Sequence, residues 1–213
     1  MDAEFWHKRW KANDIGFHLG QANPALVHYF KEHKLERGGR VFVPMCGKTR
    51  DIAWLLDNGY RVAGAELSPT ASKQLFKELA ISPETSVAAG LTHYAAQNID
   101  IFVGDIFDLA ADRLGPVDAI YDRAALVALP AEMRLRYTAH LRSITNNAPQ
   151  LLLSFEYDQR LMEGPPFSVN AEEIQRHYGD RYHLTLLEST DIDGGMKGIC
   201  PAREQIWLLQ NKR

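Results

Sequence analysis

Residues 40–69 read RVFVPMCGKTRDIAWLLDNGYRVAGAELSP and contain two short apolar runs with a helix-like segment between them. The first run, RVFVPM, predicts a buried strand because it is short and almost entirely apolar. In the segment that follows, Ile52, Leu55 and Leu56 repeat at helical spacing, and Gly59 provides a stop. A second strand-like run, RVAGAEL, completes the pattern. This stretch therefore predicts a strand-turn-helix unit that leads into a second strand.

The remaining chain repeats this alternation. Ser68 and Pro69 are typical of an N-cap and first helical residue, and they precede PTASKQLFKELA. Two βα units in tandem predict a parallel sheet. Further strand-like runs are IDIFVGDIFDL, VDAIYDRAAL, PQLLLSFEYD, YHLTLLEST and EQIWLLQ, and PAEMRLRYTAHLRSI is an amphipathic helix. No helix-length segment separates the last two runs, so we expect a doubly wound α/β fold of seven mostly parallel strands with an antiparallel last strand.

The first 38 residues precede the predicted sheet and form a separate helical segment. Asn23 and Pro24 indicate the start of one helix, and Phe5, Trp6 and Trp10 indicate another before it. Such a lid segment covers a sheet edge or roofs a site. The chain has no repeat, low-complexity tract or linker, so we expect a single domain over residues 1–213.

The composition excludes several classes of protein. Lys and Arg total 24 against 27 Asp and Glu, a net charge of −3, which does not favour nucleic acid. Cys46 and Cys200 are the only cysteines, and their spacing predicts neither a disulfide framework nor a metal site. No segment approaches ~18 consecutive apolar residues. We expect a cytoplasmic protein without a membrane span, and a monomer because no heptad seam is present.

The turn PMCGKT admits three interpretations: a phosphate-binding loop, a turn that carries a cysteine nucleophile, or a binding turn for a different nucleotide. A phosphate-binding loop requires a glycine five residues before Gly47, where this chain has Phe42. The dinucleotide pattern G-x-G-x-x-G also fails, because only Gly47 is present. Cys46 as a nucleophile would need a base, and no histidine lies near it in sequence. For Cys46 the alternative to a nucleophile is a small residue packed beneath the turn.

Glu66 ends the second predicted strand, 19 positions beyond Gly47. In doubly wound sheets an acidic residue about twenty residues past the first turn accepts hydrogen bonds from ribose hydroxyls. The alternatives are a solvated acid at a strand end and an ion-pair partner of Lys73. A nucleoside cofactor without phosphates, such as S-adenosylmethionine, is consistent with both the turn and the acid.

Several segments together resemble a known family. These are VFVPMCGKTRDIAWLLDNGYRVAGAELSPTA, GDIFDL, YDRAALVALP, EGPPFSV and the N-terminal FWHKRW and GFH. They are similar to the thiopurine S-methyltransferases, and the likeness runs from about Phe5 to Leu209. The resemblance implies a class I, Rossmann-like methyltransferase fold and S-adenosylmethionine as cofactor. It also implies in-line methyl transfer to the sulfur of aromatic or heterocyclic thiols such as thiopurines, with no side chain required as acid or base.

The resemblance also implies a set of cofactor contacts. Trp10 would cover the cofactor, Met45 would border it at the first turn, and Glu66 would accept the ribose hydroxyls. Asp105 and Ile106 would flank the adenine. For Trp10 the alternative is a core stripe with Trp6, and for Asp105 it is the cap of a short helix.

The substrate side is implied by fewer residues. Arg123 would lie near cofactor and substrate and orient the acceptor; its alternative is an ion pair with Asp122 or Asp118. The apolar walls of the acceptor pocket would be Phe17, Pro166 and Phe167, although aromatic residues beside Pro-Pro also serve as loop anchors. Together with Trp10, these rings would keep the pocket poor in water. The loop 190–203 departs from the family pattern: it carries Lys197 and Arg203, but neither aligns with a substrate-contacting arginine.

Two other functions remain open at this point. One is methylation of selenium or tellurium oxyanions or of other small thiols by the same fold, which would connect the protein to tellurium or selenium resistance. The other is a nucleotide-binding module without catalysis.

Overall fold

The structure is a computed structural model that describes residues 3–212. The chain divides into two compact units, Met1–Ile120 and Tyr121–Arg213. Within the described residues, no helix is both long and apolar enough to cross a membrane.

The first unit contains most of the predicted βα pattern. Its helices are α1 (Ala3–Lys11), α2 (Pro24–Tyr29), α3 (Arg50–Asp57), α4 (Pro69–Glu78) and α5 (Ala111–Leu114). Its strands are β1 (Arg40–Val43), β2 (Arg61–Glu66), β3 (Glu84–Ala88), β4 (Leu91–Ala96) and β5 (Ile99–Val103), and β6 (Ala119–Asp122) begins at its end. Short 3-10 helices cover Phe30–His33 and Ile106–Asp108.

Parallel pairing of β5, β2, β1 and β6, in that order, forms the centre of this unit. These strands are buried because their side chains are apolar on both faces, as Val41, Phe42 and Val62 illustrate with no exposed area. The chain passes outward from β1 to β2 and β5, then returns to the other side of β1 with β6. Ligands of doubly wound sheets bind at the carboxyl ends of the strands beside such a reversal.

The prediction of seven strands was incomplete. All seven are present, and the described residues add an antiparallel hairpin, β3–β4, beside β5. Every residue of β3 is exposed, so the strand lacks the buried alternation that sequence patterns detect.

The N-terminal helices agree with the prediction. The side chain of Asn23 accepts a hydrogen bond from the N–H of Ala25 at 2.8 Å and caps α2. Trp10 is the buried residue of α1. Ser68 likewise caps α4 through the N–H of Ala71, at 3.3 Å.

The second unit follows β6 with a 3-10 helix at Leu126–Ala128 and with α6 (Ala131–Ile144), β7 (Gln150–Tyr157), a 3-10 helix at Gln159–Leu161, α7 (Ala171–Tyr178), β8 (Tyr182–Asp191) and β9 (Ala202–Asn211). Strand β9 pairs antiparallel with both β7 and β8, which confirms the predicted antiparallel end. Helix α7 was not predicted.

Candidate active site

The turn after β1 has an unusual backbone. Met45 and Gly47 adopt φ angles of 46° and 54°. Left-handed geometry at a residue with a side chain costs about 1–3 kcal/mol and is concentrated at binding sites. A Cβ on Gly47 would lie 2.9 Å from Cζ2 of Trp10, so glycine is required for that ring to approach the turn. The N–H of Cys46 donates to the carbonyl of Ala65 at 2.9 Å, which joins the turn to β2.

Glu66 lies at the end of β2 and is directed at this turn. Its Oε2 accepts the N–H of Gly47 and its Oε1 accepts the N–H of Ser68, both at 2.7 Å. Only 5% of the residue is exposed. Burial raises the pKa of Glu66 to about 7, although the N–H groups of Ser68, Gly47 and Leu67 oppose the shift. A carboxylate offers about four lone-pair sites, so it keeps acceptor capacity for a ligand.

An aromatic group from the N-terminal segment lies over the turn. Trp10 is 5% exposed. Phe17 packs edge-on against both Trp10 and Trp6, with centroid distances of 5.7 and 5.9 Å. Trp6 therefore supports the aromatic group, while Trp10 contacts Gly47.

Asp51 ties the N-terminal segment to the start of α3, a role that the sequence analysis missed. It is 1% exposed. Its Oδ1 accepts the N–H of Asn23 at 2.7 Å, and its Oδ2 accepts the hydroxyl of Thr49 at 2.8 Å. Aspartate is common in the first turn of a helix, so the sequence alone does not show that Asp51 has a distant partner.

The segment after β5 reaches Glu66 through its backbone. The N–H of Gly104 donates to the carbonyl of Glu66 at 2.9 Å. The next residue, Asp105, is exposed and accepts the N–H of Phe107 at 3.0 Å, so it caps a 3-10 helix as the alternative interpretation expected. Ile106 is buried with 7% exposed. The adenine contacts of Asp105 and Ile106 stay predictions.

Lys48 explains the Gly-Lys-Thr sequence without a phosphate. Its Nζ lies 2.9 Å from Oε1 of Glu78 on α4, and Arg50 lies 3.3 Å from the other oxygen of that carboxylate. A phosphate-loop lysine would instead extend to the ligand. The charge of Lys48 therefore links the turn to α4.

Cys46 lies beneath the turn, as the packing interpretation expected. It is 6% exposed, and its Sγ would lie 2.9 Å from a Cβ on Gly64. Burial, and then the Glu66 carboxylate, raise the pKa of the Cys46 thiol well above its ordinary value. A buried, protonated thiol is a poor nucleophile.

We expect Cys46→Ser to retain turnover within about threefold, because serine keeps the small volume and a buried, protonated thiol is not used as a nucleophile. Steady-state turnover measures this. Complete loss of turnover in a variant that still binds the cofactor would restore the nucleophile interpretation.

In the second unit, Arg123 is half-buried after β6. Burial raises the pKa of Glu204, and the positive charge of Arg123 opposes that shift, so the two side chains are electrostatic neighbours. Asp122 is fully buried and accepts the hydroxyl of Tyr137 at 2.7 Å and the N–H of Leu126 at 3.1 Å.

The other aspartate considered for Arg123 has a partner of its own in the first unit. Oδ2 of Asp118 accepts the N–H of Arg40 at 2.7 Å.

Pro166 and Phe167 belong to a loop that is hydrogen-bonded at each residue. The hydroxyl of Tyr157 donates to the carbonyl of Pro166 at 2.7 Å. The N–H of Phe167 donates to the carbonyl of Val127 at 2.6 Å. Lys197 donates to the carbonyl of Pro165, also at 2.6 Å, so it stabilises this loop.

Arg203, the second basic residue of the divergent loop, pairs with Asp191 at 2.8 Å on the surface. It is therefore held by a neighbouring strand.

Comparisons with known proteins identify the family. The family model for thiopurine S-methyltransferase matches residues 1–212. The chain is 54% identical to a thiopurine S-methyltransferase of Xanthobacter autotrophicus over 211 residues, covering 99% of each chain. It is 50% identical to one of Teredinibacter turnerae, covering 98% of this chain and 97% of the relative.

Solved structures support the fold. A SAM-dependent methyltransferase from Anabaena variabilis matches with a TM-score of 0.68 at 17% identity, covering 99% of this chain and 95% of its own. Magnesium protoporphyrin IX methyltransferase from Synechocystis with bound SAH matches with a TM-score of 0.66 at 14% identity, covering 99% and 100%. At such identities the likeness concerns the fold alone, and the sequence relatives carry the assignment. The chain belongs to the thiopurine S-methyltransferase family.

Proposed function

We propose that the protein transfers the methyl group of S-adenosylmethionine to the sulfur of aromatic or heterocyclic thiols such as thiopurines. Family membership establishes an S-adenosylmethionine-dependent methyltransferase. The observation that carries the proposal is the buried Glu66 carboxylate, hydrogen-bonded to Gly47 at the carboxyl end of the parallel strands.

The residues of the first unit fit this cofactor. Glu66 has acceptor capacity left for ribose hydroxyls, and the turn lacks the glycines that a pyrophosphate requires. Met45 in its left-handed conformation and the Trp10 ring border the same turn. The apolar Ile106 and its neighbour Asp105, after β5, are the candidates for adenine contacts.

When bound, the cofactor supplies an electrophilic methyl group on a sulfonium, which an acceptor sulfur attacks in line. The protein's main contribution is position, which supplies on the order of 7–11 kcal/mol in favourable cases. Heterocyclic thiols ionise readily, so no side chain has to remove a proton in the transition state. Trp10 and the aromatic residues around it would exclude water from the bound cofactor, which would strengthen charge interactions.

We assign the acceptor side to Arg123, Phe17, Pro166 and Phe167. Arg123 would attract an anionic acceptor by its charge. The apolar side chains of Phe17, Pro166 and Phe167 would contact the acceptor. We further propose that the protein acts as a cytoplasmic monomer and a single functional domain on a small-molecule substrate, without nucleic acid, in line with its net charge of −3.

The test is methyl transfer from labelled S-adenosylmethionine to mercaptopurine, compared with selenite, tellurite and an aliphatic thiol. Preference for mercaptopurine supports the proposal. Preference for selenite or tellurite would assign the metalloid function, and cofactor binding without transfer to any acceptor would indicate a non-catalytic module.

Cofactor binding should depend on pH through Glu66. Its pKa of about 7 exceeds the ordinary 4.5, so in the ligand-free protein the carboxyl holds a proton below that pH. Because ribose hydroxyls donate best to the carboxylate, we expect affinity for the cofactor to fall below pH 7 by up to about tenfold per pH unit.

The raised pKa of Glu66 also predicts that the contribution of this residue to folding stability is greatest at acid pH and is lost as pH rises through 7.

Calorimetric titration between pH 5.5 and 8.5 measures the affinity. Glu66→Gln is the matched control, and its affinity should be independent of pH over this range. If the affinity of Glu66→Gln changed with pH as steeply as that of wild type, a group other than Glu66 would be responsible for the pH dependence.

A further inference from the structure

The loop of Pro166, Phe167 and Ser168 is held by two side chains that follow each other closely at the end of β7. Tyr157 donates its hydroxyl to the carbonyl of Pro166 at 2.7 Å, and its N–H donates to Oγ of Ser168 at 3.1 Å. Gln159 accepts the N–H of Ser168 through Oε1 at 2.8 Å. Both neighbours of Phe167 are therefore fixed by this pair.

The two side chains also hold each other. Nε2 of Gln159 donates to the hydroxyl of Tyr157 at 3.1 Å and to the carbonyl of Met162 at 2.6 Å. The phenol thus accepts one hydrogen bond and donates another, which defines the direction of its proton. Burial raises the pKa of Tyr157, so the phenol keeps that proton at neutral pH.

The Tyr157 ring has little freedom to move. It is 8% exposed and packs in a buried group with Met162, Met196, Cys200 and Ala202. Cys200 and Met196 close the loop before β9 through a backbone bridge. The hydroxyl is therefore a fixed point to which the carbonyl of Pro166 is attached.

The Phe167 ring is held from a second direction. The guanidinium carbon of Arg134 lies 5.9 Å from the ring centroid. Arg134 is itself 5% exposed and binds both oxygens of Glu173 at 2.6 and 3.0 Å and the carbonyl of Leu129 at 2.8 Å. A cation in contact with a ring face, with its own donors occupied by fixed acceptors, limits rotation of that ring.

We propose that Tyr157 is a positioning residue for the acceptor: its hydroxyl, through the carbonyl of Pro166, sets the direction of the Phe167 ring and thereby the preference for flat aromatic thiols. This inference rests on the proposed acceptor role of Pro166 and Phe167. A wall with fixed orientation favours an acceptor that presents a flat face, because ring stacking depends on geometry. A flexible aliphatic thiol gains little from that orientation.

Tyr157→Phe tests the role by removing one oxygen and keeping the ring. The matched control is Tyr182→Phe, since Tyr182 is also buried and donates its hydroxyl to a backbone carbonyl, that of Ala148, at 3.1 Å. The loss of one hydrogen bond changes a binding constant about 3- to 10-fold, so we expect Tyr157→Phe to raise KM for mercaptopurine by that factor. Both KM for an aliphatic thiol and Kd for S-adenosylmethionine should be unchanged.

Gln159→Ala is the second variant. The residue is exposed, so the substitution should be tolerated in folding, and it removes one hydrogen-bond partner of Tyr157 and one of Ser168. We expect the same loss of aromatic preference. If Tyr157→Phe fails to fold, this variant decides the inference. The inference would be overturned if the ratio of KM for mercaptopurine to KM for the aliphatic thiol were equal in wild type, Tyr157→Phe and Tyr182→Phe. It would also be overturned if Tyr182→Phe changed this ratio as much as Tyr157→Phe does.

A binding measurement separates this inference from the proposed function. Mercaptopurine is titrated into protein saturated with S-adenosylhomocysteine, where no turnover occurs. If wild type transfers no methyl to any thiol, the proposed function fails. The inference still stands if Tyr157→Phe weakens mercaptopurine binding relative to Tyr182→Phe, and it fails if wild type binds none.

Discussion

Glu66→Ala should weaken binding of S-adenosylmethionine at least ~100-fold, because hydrogen bonds to a charged acceptor contribute about 1.5–3 kcal/mol each and two ribose hydroxyls are expected to use this carboxylate. The substitution also removes the acceptor for the N–H groups of Gly47 and Ser68, so one of the hydrogen bonds that join the turn to β2 is lost. Both effects reduce affinity.

Calorimetric titration with S-adenosylmethionine and S-adenosylhomocysteine measures the loss. Glu66→Gln keeps one acceptor oxygen and should be intermediate. Glu84→Ala, at an exposed glutamate of β3, should bind as wild type does. Unchanged affinity in Glu66→Ala would remove the ribose role and, with it, the basis for placing the cofactor at this turn.

Deletion of residues 1–17 should abolish turnover and leave the parallel strands folded. The deleted segment carries Trp10 and Phe17, whose rings pack together at 5.7 Å. Strand β2 pairs with both β1 and β5, and these pairings do not involve the deleted segment. The point variant Trp10→Ala should lower kcat/KM about 100-fold, the effect of misplacing reactants by roughly 1 Å.

Turnover and far-ultraviolet circular dichroism are measured together. His7→Ala, an exposed change on the same helix, should retain activity and is the matched control for Trp10→Ala. Full activity after the deletion would show that the N-terminal segment is not a lid. Loss of the dichroism signal would show instead that it supports the sheet.

Local pattern was sufficient for the elements that bury apolar side chains close in sequence. Strands β1 and β2, helix α3 and the caps Asn23 and Ser68 follow from periodicity and capping chemistry, which act over a few residues. The β3–β4 hairpin was missed because β3 is exposed along its length and joins the sheet through β4, which pairs with β5. Strand formation there is decided by neighbours rather than by propensity.

The features of the candidate site also divide into those that the sequence predicts and those that it does not. Glu66 could be predicted because the βα unit sets the separation between the first turn and the end of the second strand. The distant partners of Asp51 and Lys48 could not, since Asn23 lies 28 residues from Asp51 and Glu78 lies 30 residues from Lys48. Such contacts form only when the chain is folded.

The sequence by itself determined the βα order, the phosphate-free turn, the acid at Glu66 and the family, because each depends on residue types at short, regular spacing. Only the tertiary structure decided that Lys48 binds Glu78, that Trp10 packs on Gly47 and that Tyr157 holds Pro166. Hydrogen bonds and close contacts form between groups that lie a few ångströms apart in space, and a local sequence pattern does not show which distant residues meet in this way.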